Sequence, residues 1–142
     1  MKMKLKVSRA EMWSATIEDQ AGGAAAVLEP VAKAGADFEF VFARRAPEQP
    51  GMGVLFVLPV KGAKVIKAAR KAGLAKAEGI HTVKVEGSDK PGAAVAIASA
   101  LANAGISFRA ISATVVGKRF AGYLALDSAE DAAKAASVLK KL

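Results

Sequence analysis

Asp89-Lys90-Pro91-Gly92 is the stretch whose residue types and spacing can do chemistry. It separates His81 to Val85, which alternates as a strand does, from an alanine-rich helical run ending near Asn103. Proline fixes φ and lacks an N–H that a helix start would leave unpaired, so Pro91 suits the first helical position. Gly92 lets another group approach the backbone. The predicted corner turns free amide donors outward at the positive end of a helix dipole, where they can hold the carboxylate of a small molecule. A structural alternative stands beside this one: Asp89 caps a turn and Gly92 meets a backbone demand.

Other chemistries find less support. The chain of 142 residues has no cysteine, which excludes disulfides, thiolate metal sites and cysteine nucleophiles and fits a reducing cytoplasm. Its one histidine, His81, begins a strand and reads as structural, so no metal, cofactor or catalytic residue is expected. No Ser/His/Asp set can be assembled at sensible strand ends, and no Walker or Rossmann glycine pattern follows a strand. Met1 to Val7 interleaves lysine with apolar residues and offers no signal-peptide core, and no apolar run approaches membrane-spanning length. A soluble cytoplasmic protein is the expectation. The net charge of +8 suggests phosphate neutralisation, but the cations are scattered. Their one concentration, Lys61, Lys64, Lys67, Arg70 and Lys71, has the spacing of a solvated helix face and no interleaved aromatics to stack bases. Nucleic acid is therefore disfavoured.

The elements that must position the corner come in a repeating order. Lys2 to Val7 and Met12 to Ile17 read as strands; Ala24 to Ala34 reads as a helix ended by Gly35. Asp37 to Arg44 is a strand whose Phe38, Phe40 and Phe42 form an aromatic face expected in the core. After a loop from Arg45 to Gly53 come a strand at Val54 to Val60, a helix at Ala63 to Ala72 and an extended segment at Leu74 to Ala77. Then the order restarts. Asp19 and Asp89 lie 89 − 19 = 70 residues apart, and the same offset joins Gly22 to Gly92, Gly35 to Gly105 and Phe38 to Phe108. Further on the offset falls to 67, as in Lys67-Ala68-Ala69 against Lys134-Ala135-Ala136, because Val116-Gly117-Lys118 makes a shorter turn. Trp13, at the repeat position of Val83, belongs to a core or interface, and Ser128-Ala129-Glu130-Asp131 is a helix-capping pattern.

Each repeat reads βαββαβ, the ferredoxin-like pattern: an α+β fold with an antiparallel sheet and both helices on one face. The second repeat runs out after its last helix. The missing fourth strand is expected from the N terminus, with Lys4 to Val7 matching Leu74 to Ala77 and the two units sharing strands reciprocally. The division predicted is 11–79 for the first domain and 80–142 for the second, its sheet completed by residues 1–10.

Leu101-Ala102-Asn103-Ala104-Gly105-Ile106-Ser107-Phe108, the Asp89-Lys90-Pro91-Gly92 turn and Leu126-Asp127-Ser128-Ala129-Glu130-Asp131-Ala132 together resemble the ACT domain, a small-molecule-sensing regulatory module. The first repeat resembles it less, with Ala21 where the second has proline. The resemblance implies a non-catalytic tandem pair that binds an amino acid at an interface between such domains, as a stand-alone sensor or a subunit regulating a separate enzyme. By position it implies ligand contacts at Asp89, Lys90, Pro91, Gly92, Asn103, Gly105 and Ile106, and at Asp19, Gln20, Ala21, Gly22 and Gly35. Helix-start amides suit a carboxylate, Asp19 or Asp89 suits an ammonium, and Asn103 offers donor and acceptor. A homodimer is expected from exposed sheet edges and a small core. The alternatives are a protein-interaction module without ligand and, less favoured, an anion- or nucleic-acid-binding protein.

Overall fold

The computed structural model describes residues 2–142; Met1, the first residue of the interleaved N-terminal run, lies outside them. Twelve elements follow in order: β1 (Lys6–Ala10), β2 (Trp13–Glu18), α1 (Gly23–Lys33), β3 (Phe40–Arg45), β4 (Met52–Leu58), α2 (Ala63–Lys71), β5 (Ala75–Lys76), β6 (His81–Ser88), α3 (Ala93–Asn103), β7 (Ala110–Val116), β8 (Arg119–Leu126) and α4 (Ala129–Lys140). They divide into two units, Glu11–Glu78 and a second built from the residues up to Ala10 together with Gly79–Leu142.

In the first unit the strand order is β3-β4-β2-β5, all neighbours antiparallel. Alternate positions of the central strands, Trp13, Ala15, Leu55 and Val57, face one way and meet Val27 and Val31 of α1 and Val65 and Ala69 of α2. The 3.6-residue and 2-residue periods thus point into one core. Arg70 lies over the Trp13 ring, 5.2 Å from its centroid, which takes this cation out of the basic stripe of α2.

The second unit has the order β1-β6-β8-β7, the same arrangement with β1 in the fourth-strand place. Val83, Val85, Leu124 and Leu126 meet Ile97 and Leu101 of α3 and Ala132, Ala135 and Leu139 of α4. Leu5 adds to this core, and the amides of Met3 and Lys4 donate to the Leu142 carbonyl at 2.9 and 3.1 Å. The alanines let the helices lie close to the sheet. Ser128 caps α4 by accepting from the Asp131 amide at 3.0 Å.

Three expectations need correction. The N-terminal strand completes the second sheet, but it runs over Lys6–Ala10 and pairs Arg9 with Val83, where the first unit pairs Lys76 with Trp13. The match to Leu74–Ala77 therefore lies three residues beyond Lys4–Val7; Leu5 packs as core where the chain bends at Lys4, which has a positive φ. Strands are not exchanged reciprocally: β5 stays with its own unit, and only β1 is separated from its unit in sequence. Finally, only Phe38 packs on the core. Phe40 and Phe42 stack on each other with centroids 6.5 Å apart, and Phe42 meets Phe56 at 6.4 Å, on the sheet face opposite the helices. Leu55 and Val57 already fill the helix side, so the alternation sends these rings the other way. No helix among the described residues is long and apolar enough to cross a membrane.

Candidate functional site

The two strand-to-helix corners are built alike. In the second unit the Ala93 amide donates to the Lys90 carbonyl at 3.1 Å, and Gly92, the N-cap of α3, has φ 85° and ψ 2°. Those values make Lys90-Pro91-Gly92-Ala93 a type II turn with proline at its second position. Pro91 therefore precedes the helix and does not open it. In the first unit Gly23 donates to the Gln20 carbonyl at 3.0 Å and Gly22 has φ 88° and ψ −7°. Ala21 stands where Pro91 stands, and the turn is the same. Each corner is also tied to the hairpin beside it: Asp89 N–H donates to the Lys118 carbonyl at 2.8 Å, Asp19 N–H to the Gly51 carbonyl at 3.0 Å.

The first intrahelical bonds run from Ala96 to Gly92 and from Ala26 to Gly22. Neither helix has a side-chain cap. Among the described residues this leaves the amides of Ala94 and Val95, and of Ala24 and Ala25, without an acceptor at the positive ends of their helices.

Beside the α3 start lies a cavity of about 300 Å³. Asp89, Lys90 and Gly92 line it, as do Ala94 and Val95; the rest of its wall is mainly apolar, with Ile111 and Val115 of β7 facing Phe120 and Leu124 of β8, and Ser112, Thr114 and Tyr123 border it. The Ile111 and Val115 side chains point to the helix side but lie beyond the cover of α3: Ile111 is 44% exposed and Val115 51%. Among the described residues the Asp89 carboxylate has no hydrogen-bond or ion-pair partner. The arrangement can hold a carboxylate on amides, an ammonium on Asp89 and an apolar group against the β7 wall.

The corresponding cavity of the first unit, about 390 Å³, has a different lining. Glu18, Asp19, Gln20, Arg44 and Arg45 line it together with Ile17, Ala24 and Ala43. Here the aspartate is taken: Arg45 Nε donates to Asp19 Oδ2, and Arg44 lies 3.6 Å from Glu48. Ala21, Gly22 and Pro91 shape their turns without lining either cavity.

Asn103, Gly105 and Ile106 are not brought to this place. They sit at the far end of α3, which its 11 residues make roughly 16 Å long. Gly105, with φ 72°, donates to Ala102 at 3.0 Å and Ile106 donates to Leu101 at 2.9 Å, the Schellman pattern of a helix end. Ile106 is buried in the core and Asn103 is exposed. Gly35 ends α1 in the same way, with Ala36 donating to Val31 at 3.2 Å, and lines a separate depression with Asp37, Glu39 and Lys61. The wall residues Val95, Ile111 and Val115 were not singled out from the sequence. The available signal was the alternation Ile111, Ala113, Val115 on a strand, read together with Arg45 at the repeat position of Val115. Among the described residues no three His, Cys, Asp or Glu side chains come together as a metal site.

With this geometry in hand, the class is an α+β chain of two ferredoxin-like units with a ligand-sized cavity at a βα corner. Residues 81–142 match the sequence model of the ACT domain family. No curated protein sequence matches the chain. Among solved structures, a protein from Bacteroides thetaiotaomicron is 17% identical, with 96% of this chain and 99% of that one covered and a TM-score of 0.75. The ligand-free regulatory subunit of aspartate kinase from Thermus thermophilus is 18% identical over 97% of this chain and 95% of its own, with a TM-score of 0.66. Its counterpart from Thermus flavus is 16% identical over 98% and 99%, at 0.59. At these identities the likeness establishes the shared βαββαβ fold, repeated twice.

Proposed function

We propose that this chain is a non-catalytic, cytoplasmic regulatory module made of two ACT-like units, 11–79 and 80–142 with the strand from residues 1–10. It binds an amino acid and passes that signal to a separate enzyme. One observation carries the reading: the unpaired Asp89 carboxylate and the free amides of Ala94 and Val95 line the same apolar cavity. A zwitterion satisfies both poles at once, whereas a simple anion leaves Asp89 opposed to it. The ACT match over 81–142 and the similarity to regulatory subunits of aspartate kinase support the regulatory role. Of the contacts implied by resemblance, Asp89, Lys90 and Gly92 belong to this site, with Pro91 setting its turn.

The exposed edge strand β7 and the apolar Val95, Val115 and Val116 beside it suit a second copy of the chain, making a homodimer whose partner closes the cavity. Effector binding then shifts the population between open and closed assemblies by its difference in affinity for the two. A second reading, attachment to an acidic protein surface, is favoured by Lys61, Lys64, Lys67 and Lys71. These exposed lysines at and on α2 have no ion pair among the described residues.

The test is a thermal-shift screen of the full chain against the twenty amino acids and several nucleotides. A ligand at a hundredfold excess over its Kd stabilises the folded state by about 2.7 kcal/mol, well above detection. The expected result is a rise in Tm with one amino acid or a chemically related few, at least tenfold weaker in binding for Asp89→Asn. No shift at millimolar concentration, or a shift unchanged in Asp89→Asn, overturns the reading.

A further inference from the structure

The two cavities share a frame and differ in what fills it. Position 45 in β3 and position 115 in β7 are repeat equivalents: Arg45 pairs with Gly53, and Val115 with Phe120, each on the helix side of its edge strand. Position 19 and position 89 are equivalents too, and both carry aspartate. In the first unit the guanidinium of Arg45 reaches Asp19, so the carboxylate already holds a cation. In the second unit valine cannot do this, and Asp89 is left open beside an apolar wall.

We infer that Arg45 is an internal occupant of the first unit's cavity, standing where the ammonium of a ligand stands in the second. The chain then has one working effector site, at Asp89, and that site takes an α-amino acid with an apolar side chain. This rests on the effector reading above and narrows it in two ways. The number of sites follows from charge. An external ammonium must displace an arginine that is tethered to the same β-sheet, and the tether gives the arginine an effective concentration in the millimolar range. Asp19 with Arg45 and Arg44 with Glu48 are thus paired within the chain, and Glu18, the remaining carboxylate of the first cavity, accepts from Gln20 Nε2 at 2.7 Å. The ligand class follows from the wall. On the helix side the wall is Val95, Ile111, Val115 and Phe120, while the lining residues Ser112, Thr114 and Tyr123 alternate to the other face of the sheet, so a polar side chain laid against this wall is left unsatisfied and penalised.

The experiment is a titration of isotope-labelled full-length protein with L-leucine, L-isoleucine and L-valine, following backbone amide resonances. In the unaltered chain Ala94 and Val95 should shift and Ala24 and Ala25 should not. Val115→Arg, which copies the first unit's arrangement, should weaken binding at Ala94 and Val95 at least tenfold, while Val115→Met, also long but apolar and uncharged, should weaken it far less. Arg45→Val should bring in shifts at Ala24 and Ala25. Arg45 is 76% exposed and Val115 about half, so these substitutions leave the cores untouched, and dispersed amide spectra confirm folding. Shifts at Ala24 and Ala25 in the unaltered chain overturn the inference, as does unchanged binding in Val115→Arg or a folded Arg45→Val that gains nothing. If none of the three binds and the amino acids that raise Tm all carry polar or charged side chains, the apolar ligand class falls and the effector reading stands; a rise with methionine, phenylalanine or alanine keeps the class. If none of the twenty raises Tm either, both fall.

Discussion

Gly87 and Gly53 show at residue scale how two units with one frame keep their cores full. Gly53 pairs across the sheet with Ile17, and Gly87 with Phe120. Positions 17 and 87 are repeat equivalents, and so are 53 and 120; the large side chain has changed strands between the units, leaving glycine opposite it each time. In the first unit isoleucine from β2 covers the glycine of β4, and in the second phenylalanine from β8 covers the glycine of β6. A Cβ at Gly87 would lie 2.8 Å from Leu5 Cδ2 and 2.9 Å from Phe120 Cε1. Gly87→Ala should therefore cost about 1–3 kcal/mol, the usual range for overpacking, read from the midpoint of urea unfolding at unchanged slope. A loss under half a kilocalorie, on the same rough scale, would mean that Leu5 moves aside freely. The sequence shows glycines at 53 and 87 without their reason, because the pairing that sets each against a bulky neighbour spans tens of residues. The roles of Gly35 and Gly105 as helix stops were legible, since they follow from local chemistry alone. The burial of Ile106 was not legible, because position in a family pattern carries no information about burial.

At the scale of elements, the corners were legible as strand-to-helix junctions but their internal geometry was not. Pro91 suits either a first helical position or the second place of a turn, and only the positive φ of Gly92 decides for the turn. The finding gives a direct expectation for the first unit. Ala21 occupies the same place of the same turn, and no hydrogen bond uses its amide among the described residues. Ala21→Pro should stabilise the chain by about 0.4–1 kcal/mol by restricting the unfolded state, measured by thermal or denaturant unfolding. A destabilised variant would show that Gln20 cannot take the extended conformation required before proline. The other helix start with a clear local signal, Ser128, should lose about 1 kcal/mol on Ser128→Ala, with fraying detectable in the amides of α4. A null result would assign the stability of that helix to Ala132, Ala135 and Leu139 packing alone. The aromatic strand was misread for a reason that belongs to this scale. An edge strand has two usable faces, and periodicity names the faces without saying which one the helices take.

At the scale of the molecule, the repeat arithmetic made the doubled βαββαβ pattern readable, and the shortfall of one strand pointed to the N terminus. What the arithmetic could not give was the nesting. β1 belongs to a unit whose remaining residues begin at Gly79, so its pairing with β6 must close over all of Glu11–Glu78. Closing so long a flexible loop has an entropic cost that grows with its logarithm. The inserted unit removes most of that cost by its own folding, because β5 pairs with β2 and the Ala77 amide donates to the Met12 carbonyl at 2.9 Å, which holds its two ends together. Ala10 and Gly79 then leave from neighbouring points, and β1 needs only a short search to reach β6. The expected folding order is the inserted unit first and the β1–β6 pairing afterwards. Pulse-labelled hydrogen exchange during refolding tests it: the amides joining β2 to β4 should gain protection before those joining β1 to β6. Ala77→Pro, which removes the Met12 bond, should slow the later protection relative to the earlier one. Simultaneous protection of both sets, or earlier protection of β6 by β1, would mean that the N-terminal strand finds its place without help from the unit it flanks.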